Sequence, residues 1–140
     1  MGSIWLAPLT FRPGQSETPA HQFPARKLEE RRHTLVLDID ETLVHSMALS
    51  NDLYITALRP YVIPFLREMN ELFEVIFWTA GTEFYGNAVL QAIEEAGIAY
   101  DGEPVVGSNP TALYRQHTSE DWNYMKYIPM LRRPVQNVLM

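Results

Sequence analysis

Thr34-Leu35-Val36-Leu37-Asp38-Ile39-Asp40-Glu41-Thr42-Leu43-Val44-His45-Ser46 is the stretch whose reading decides the fold. It opens on the apolar run Leu35 to Leu37, the pattern of a strand buried on both faces. Two carboxylates follow at Asp38 and Asp40, with Thr42 two residues further on. In an extended segment a period of two aims both acids the same way. Asp is a poor strand former, so the strand should fray here and deliver its acids at its carboxyl end. In open α/β sheets that is the end where ligands bind.

Crowded carboxylates repel one another, and a divalent cation is the usual means of offsetting their charge. Oxygen ligands favour magnesium. One Asp could then attack an electrophile such as phosphorus and form an acyl phosphate. The other could give a proton to the leaving group and take one from water. A lone DxD also fits a strand-end Asp that caps a turn, but the whole string is far more specific than DxD.

LVLDIDETLVHS resembles the signature of the haloacid dehalogenase superfamily, hhhhDxDxT. Within it the string is similar to the branch of RNA polymerase II C-terminal-domain phosphatases and NLI-interacting-factor-like phosphatases, which carry DLDETLVH here. The resemblance implies an α/β fold with a Rossmann-like parallel sheet and a small insertion between the second and third motifs. It also implies a bound Mg2+ ion and an aspartyl-phosphate intermediate. Carried over, Asp38 is the nucleophile and a metal ligand. Asp40 is the general acid/base, with its backbone carbonyl on the metal. Ile39 stands where that branch has Leu, without chemical consequence.

The chain has 140 residues, of which 46% are hydrophobic, enough for one domain with a core. A net charge of −6 argues against a general nucleic-acid binder. There is no cysteine, hence no disulfide and no thiolate metal site, which is compatible with a reducing compartment. No apolar run approaches the about 18 residues of a membrane span. The N-terminus carries no signal-peptide pattern. Leu6, where a myristoylation motif needs Ser or Thr, sets that modification aside. An intracellular protein is expected, with nucleus and cytoplasm both open.

Residues 1–32 read as an irregular arm, because Pro8, Pro13, Pro19 and Pro24 break any longer element. Apolar residues such as Trp5 and Phe11 would let part of it lie on the core. The mixed charge run Arg26 to Arg32 reads as a solvated approach to the first strand. Residues 33–140 form the expected phosphatase domain. Leu53 to Leu58 reads as a strand after a turn over Ala48 to Asp52, and in the phosphatases it resembles this region is a hairpin flap beside the active site. Arg59-Pro60 then opens a helix with apolar residues Phe65, Leu66, Met69, Leu72 and Phe73 at helical spacing. RPYVIPFLREM resembles that branch's RPxVxxFLxxM, with Pro64 tolerable only in the first turn.

Phe73 to Thr79 is the second buried strand, followed by a helix through Glu83, Tyr85, Leu90 and Ala96 that Gly97 should stop. Thr79 reads either as a helix cap, a role Thr82 could also take, or as a phosphate ligand assisted by backbone N–H groups. The match to the FTAS-like string of the phosphatases favours phosphate binding by Thr79 and Ala80. Alternating strands and helices predict a parallel sheet. Ala99 to Gln116 reads as turns and short strands over the carboxyl edge. LYRQH resembles the LFRESC-like string, which makes Arg115 the candidate for the substrate phosphate; as a lone Arg it is a surface charge. His45 and His117 lack the spacing of a metal pair. NYMK resembles NYVK, which makes Lys126 the superfamily's lysine, whose ammonium would neutralise Asp38 and phosphate. Tyr127 and Pro129 depart from the pattern that should follow.

Residues 131–140 look like the lead into the next strand. In these phosphatases that strand runs into an acidic pair that completes the magnesium site, and Met140 precedes it. The last strand and the C-terminal part of the sheet are therefore expected to be missing, from a fragment or from a short form. Weak magnesium binding and self-association through an uncovered sheet edge would follow. The favoured function is a Mg2+-dependent phosphoserine/phosphothreonine phosphatase. Its implied partner is a Ser/Thr-phosphorylated peptide or protein such as the polymerase C-terminal domain. The rival is a catalytically weak or inactive protein-binding module.

Overall fold

The computed structural model describes residues 33–51, 53–107, 110–119 and 124–140, and the backbone of 6–10. The charge run Arg26 to Arg32, most of the Pro-rich arm and Asn123 lie outside the described residues. The elements are β1 (Leu6–Thr10), β2 (Thr34–Leu37), β3 (Val44–Ala48), β4 (Leu53–Leu58), α1 (Val62–Leu72), β5 (Glu74–Trp78), α2 (Glu83–Asp101), β6 (Ala112–Leu113) and β7 (Val138–Leu139). They form an α/β fold around a four-stranded parallel sheet of order β6-β5-β2-β7. A second, antiparallel sheet has the order β1-β4-β3 and contains, in β3 and β4, the hairpin expected as the flap. No helix among the described residues is long and apolar enough to cross a membrane.

The parallel sheet is built by alternation. Leu37 and Phe77 point into one core with Ile39, Leu66, Val89 and Ile93. Val36, Ile76 and Trp78 point to the other face, against Leu113 and Leu131. Burial on both faces explains the near-continuous apolar runs in β2 and β5. Helices α1 and α2 lie on the first face. The 3-10 turn Ile128–Leu131 lies on the second.

Helix α1 buries Val62, Ile63 and Leu66, while Phe65 and Leu72 of the expected stripe are exposed. Pro64 falls at the third helical position, where its missing N–H has no intrahelical partner to lose. Helix α2 is capped by Thr82, whose hydroxyl accepts from the Tyr85 N–H. Gly97 does not stop it. The helix runs on to Asp101 and ends at Gly102, whose φ of 82° is the left-handed stop. Gly97 instead sits buried at a close approach: a Cβ there would come within 2.1 Å of Val105 Cγ2.

One expectation about the amino end needs correction. Within the arm read as irregular, Leu6–Thr10 is a strand, paired antiparallel with β4 from Leu6↔Ala57 to Thr10↔Leu53. Pro8 is accommodated because β1 is an edge strand, where a residue without an N–H is tolerated. At the other end the parallel sheet is short, as expected: β7 is two residues long and joins β2 at Thr34↔Val138 and Leu35↔Leu139.

At the amino end of the sheet Arg133 holds Glu74 through two bonds, Nε to Oε1 and Nη2 to Oε2, both 2.9 Å. Thr34 Oγ1 donates to the same carboxylate at 2.8 Å. The pair fastens the segment before β7 to both β2 and β5.

Gly97→Ala should destabilise the fold by ~1–2 kcal/mol, because crowding Val105 costs more than the ~1 kcal/mol of helix propensity that Ala restores. Urea unfolding of the two proteins measures it, and an unchanged or raised midpoint would show that Val105 yields freely.

Candidate active site

Adjacent strands deliver the polar residues in spatial order. β2 ends at Leu37 and is followed by Asp38, β5 ends at Trp78 and is followed by Thr79, and β6 ends at Leu113 shortly before Arg115. The register pairs Leu37 with Phe77 and Trp78 with Leu113, so all three groups emerge at one sheet end.

Beyond Leu37 the chain winds into a tight turn. The Ile39 carbonyl accepts from the Leu43 N–H at 2.9 Å, and the Val44 carbonyl from the Glu41 N–H at 2.8 Å. Glu41 takes a φ of 60°, a left-handed conformation that costs a residue with a Cβ on the order of 1 kcal/mol. The strand therefore stops at the first acid, as its composition predicts.

The two carboxylates meet different partners. Asp38 Oδ1 accepts the Ile39 N–H at 2.9 Å and lies 3.1 Å from Lys126 Nζ. The Asp38 side chain is 46% exposed and that of Lys126 15%, so the lysine comes from a protected position to an open acid. Asp40 Oδ2 accepts from Thr79 Oγ1 at 3.3 Å, and its Oδ1 accepts a short hydrogen bond from the Tyr85 hydroxyl. Burial, and then the hydrogen bond to the Asp40 carboxylate, push the Tyr85 hydroxyl well above the usual tyrosine range, against a smaller opposite pull from its hydrogen bond with Ser46.

Thr79 is fully buried. Besides donating to Asp40, its Oγ1 accepts the Gly81 N–H at 2.9 Å, a cap-like bond at the approach to α2. Ala80 is half-buried in that bend, and its carbonyl accepts from Arg115 Nε at 2.8 Å. The Arg115 N–H donates to the Gly81 carbonyl at 2.9 Å, and the guanidinium lies 4.7 Å from the centre of the Tyr124 ring. The bend Thr79 to Gly81 thus ties β5, Asp40 and Arg115 together. A Cβ at Gly81 would stand 2.8 Å from the Tyr85 ring, so glycine is what lets that ring reach Asp40.

Of the residues singled out in the sequence, Asp38 meets Lys126, Asp40 meets Thr79, and Ala80 meets Arg115. The histidines are elsewhere occupied: His45 pairs with Glu41, and buried His117 accepts the Tyr114 N–H on Nδ1 at 3.0 Å. Burial, and then the Glu83 charge, push the Tyr114 hydroxyl up to about 12. Among the described residues no three acids or histidines gather into a metal cluster. The reading of the sequence passed over Tyr85 and Tyr124. Tyr85 lies three residues after the Thr82 cap, in the first turn of α2, which faces the strand ends.

Residues 33–140 match the family described as NLI interacting factor-like phosphatase. The chain belongs to that family. It is 28% identical over 140 residues to CTD small phosphatase-like protein 2 of Dictyostelium discoideum, covering 86% of this chain and 22% of that protein. It is 34% identical over 85 residues to human carboxy-terminal domain RNA polymerase II polypeptide A small phosphatase 2, covering 50% of this chain and 31% of that one. The chain thus spans about a third or less of these two relatives' lengths. Among solved structures, that of Fcp1, an essential RNA polymerase II CTD phosphatase, superposes with a TM-score of 0.57. It covers 76% of this chain and 36% of that one at 19% identity, a likeness of fold.

Thr79→Val keeps the shape and removes the hydroxyl that serves both Gly81 and Asp40. It should cost ~1–2 kcal/mol, since a buried N–H is left without its acceptor. Chemical denaturation measures the loss; a midpoint equal to that of the unchanged chain would mean that the hydroxyl contributes nothing.

Proposed function

We propose that this domain hydrolyses phosphoserine or phosphothreonine in protein substrates through an aspartyl phosphate on Asp38. The observation that carries the reading is the separation of the two acids: Asp38, open and 3.1 Å from Lys126 Nζ, and Asp40, held by Thr79 and Tyr85. Two carboxylates in unlike settings can take unlike roles.

In this mechanism an Asp38 oxygen attacks phosphorus and the bond from phosphorus to the serine oxygen breaks. Asp40 gives its proton to the departing alkoxide. Water then attacks the phosphoaspartate, Asp40 takes the proton, and the Asp38 carboxylate is restored as phosphate leaves. Lys126 offsets the negative charge that collects on Asp38 and the phosphoryl oxygens. The Arg115 guanidinium, anchored through Nε to the Ala80 carbonyl, would present its remaining donors to the substrate phosphate. Thr79 and Ala80 line the same bend.

The donor set suits Mg2+. Asp38 Oδ2 accepts no hydrogen bond among the described residues, and the Asp40 carbonyl supplies a second hard oxygen. Bound to these two, the ion would offset phosphoryl charge. The substrate proposed is a phosphorylated tail peptide such as the RNA polymerase II C-terminal domain, on which the relatives' names rest.

Asp38→Asn should abolish hydrolysis of p-nitrophenyl phosphate with an unchanged circular dichroism spectrum. Chelation by EDTA should do the same reversibly, with Mg2+ restoring turnover. Full activity in the variant removes the phosphoaspartate route, and a chain inert before substitution is the outcome that favours a binding module.

Arg115→Ala should raise KM for a phosphoserine peptide by about tenfold, the loss of one charge-assisted contact. Steady-state kinetics measures it, and an unchanged KM would return Arg115 to the role of a surface charge.

A further inference from the structure

Asp40 is held at both of its carboxylate oxygens, by donors from different elements. Thr79, at the end of β5, takes Oδ2, and Tyr85, in the first turn of α2, takes Oδ1. The Thr79 hydroxyl donates to Asp40 at 3.3 Å and also accepts the Gly81 N–H. Its ring stands edge-on to Tyr54 of β4, with centroids 5.8 Å apart and planes at 65°. Tyr54 faces Ala48 across the hairpin, and two positions on, the Ser46 and Thr56 hydroxyls meet at 2.7 Å. One side chain thus touches the flap with its ring at Tyr54 and with its hydroxyl at Ser46 of β3, and the same hydroxyl holds Asp40.

We propose that Tyr85 is the positioning residue of Asp40: its hydroxyl fixes the direction of the carboxylate, and its ring makes that direction depend on the flap. The proposal rests on Asp40 being the proton donor to the leaving group. A rigid aromatic serves this purpose well, because its hydroxyl has no rotamer freedom left once the ring is packed. A phosphopeptide that seats the flap would orient the acid in the same movement, while a small aryl phosphate that leaves the flap untouched would not.

The test compares Asp40→Asn, Tyr85→Phe, Tyr54→Leu and Ser46→Ala on two substrates, by the rate of leaving-group release in the first turnover, because the later hydrolysis of the phosphoaspartate, which Asp40 also serves, is common to both. A phosphoserine peptide has a leaving group that needs its proton, whereas p-nitrophenyl phosphate needs little help. General acid catalysis contributes about 10²–10⁴-fold, so Asp40→Asn should lose on that order of first-turnover rate on the peptide and far less on the aryl ester. Tyr85→Phe keeps the ring and should lose about 10-fold or more in first-turnover rate on the peptide, a part of that same contribution. Its loss of first-turnover rate on the aryl ester should be far smaller. Tyr54→Leu, which spares both donors, should give the same split with a smaller loss. Equal losses on both substrates, or none, in Tyr85→Phe while Asp40→Asn shows the split would overturn the positioning role and leave Asp40 as the acid. A split in Tyr85→Phe without one in either Tyr54→Leu or Ser46→Ala would overturn the dependence on the flap. No split in Asp40→Asn removes the acid role, and the proposal with it; so does a chain inert on both substrates.

Discussion

Everything at the candidate site depends on the parallel pairing of β2 with β5. Four residue pairs, from Thr34↔Glu74 to Leu37↔Phe77, set where two strands stop. Because both run the same way, Asp38 and Thr79 leave the sheet at the same end, and Thr79 lies within 3.3 Å of the second acid. The cores on the two faces hold this register. A slip of one residue would turn Phe77 toward Leu131 and Trp78 toward α2, exchanging every buried side chain between faces. The packing that stabilises the sheet is therefore what aligns the polar groups at its end.

The two acids are met by unlike partners, Asp38 by an ammonium and Asp40 by two neutral hydroxyls. Two carboxylates left to share one counter-charge would repel each other. The turn closed on the Ile39 carbonyl carries the chain from these acids into β3, and the left-handed Glu41 is a small cost of making it.

Much of this was legible in the sequence because it rests on local pattern. The apolar runs of β2 and β5, the two acids and the helix after Arg59-Pro60 are each written in a few neighbouring residues, whereas Lys126 was marked by the family resemblance alone. What was not legible rests on approach between distant residues. Gly97 looks like a helix stop, but its bare Cα is needed by Val105, and only Gly102 takes the left-handed φ. Leu6–Thr10 contains a proline and looks irregular, yet β4 offers it an open edge. Tyr85 looks like one aromatic on a helical stripe, since nothing local says that its hydroxyl reaches Asp40, 45 residues away in the chain. Arg133 lies in the stretch read only as the lead into a strand, since its partner Glu74 is 59 residues earlier.

That last pair bears on how Lys126 is held. The segment from Lys126 to β7 contains no α-helix; it is 3-10 turns, which make few internal bonds and cannot hold a long side chain in place by themselves. It is fixed instead at its far end, where Arg133 grips Glu74 and β7 joins Thr34 and Leu35, and in the middle by Leu131, buried against Val36, Ile76 and Trp78. Glu74 begins β5 and Thr34 begins β2. β2 is four residues long, so its two ends are separated by ~10 Å. The strands that present Asp38 at one end thus hold, at the other, the chain that returns Lys126 to it. A bidentate pair with a third donor from Thr34 suits that task, because it resists both sliding and rotation of the segment, as a single contact would not.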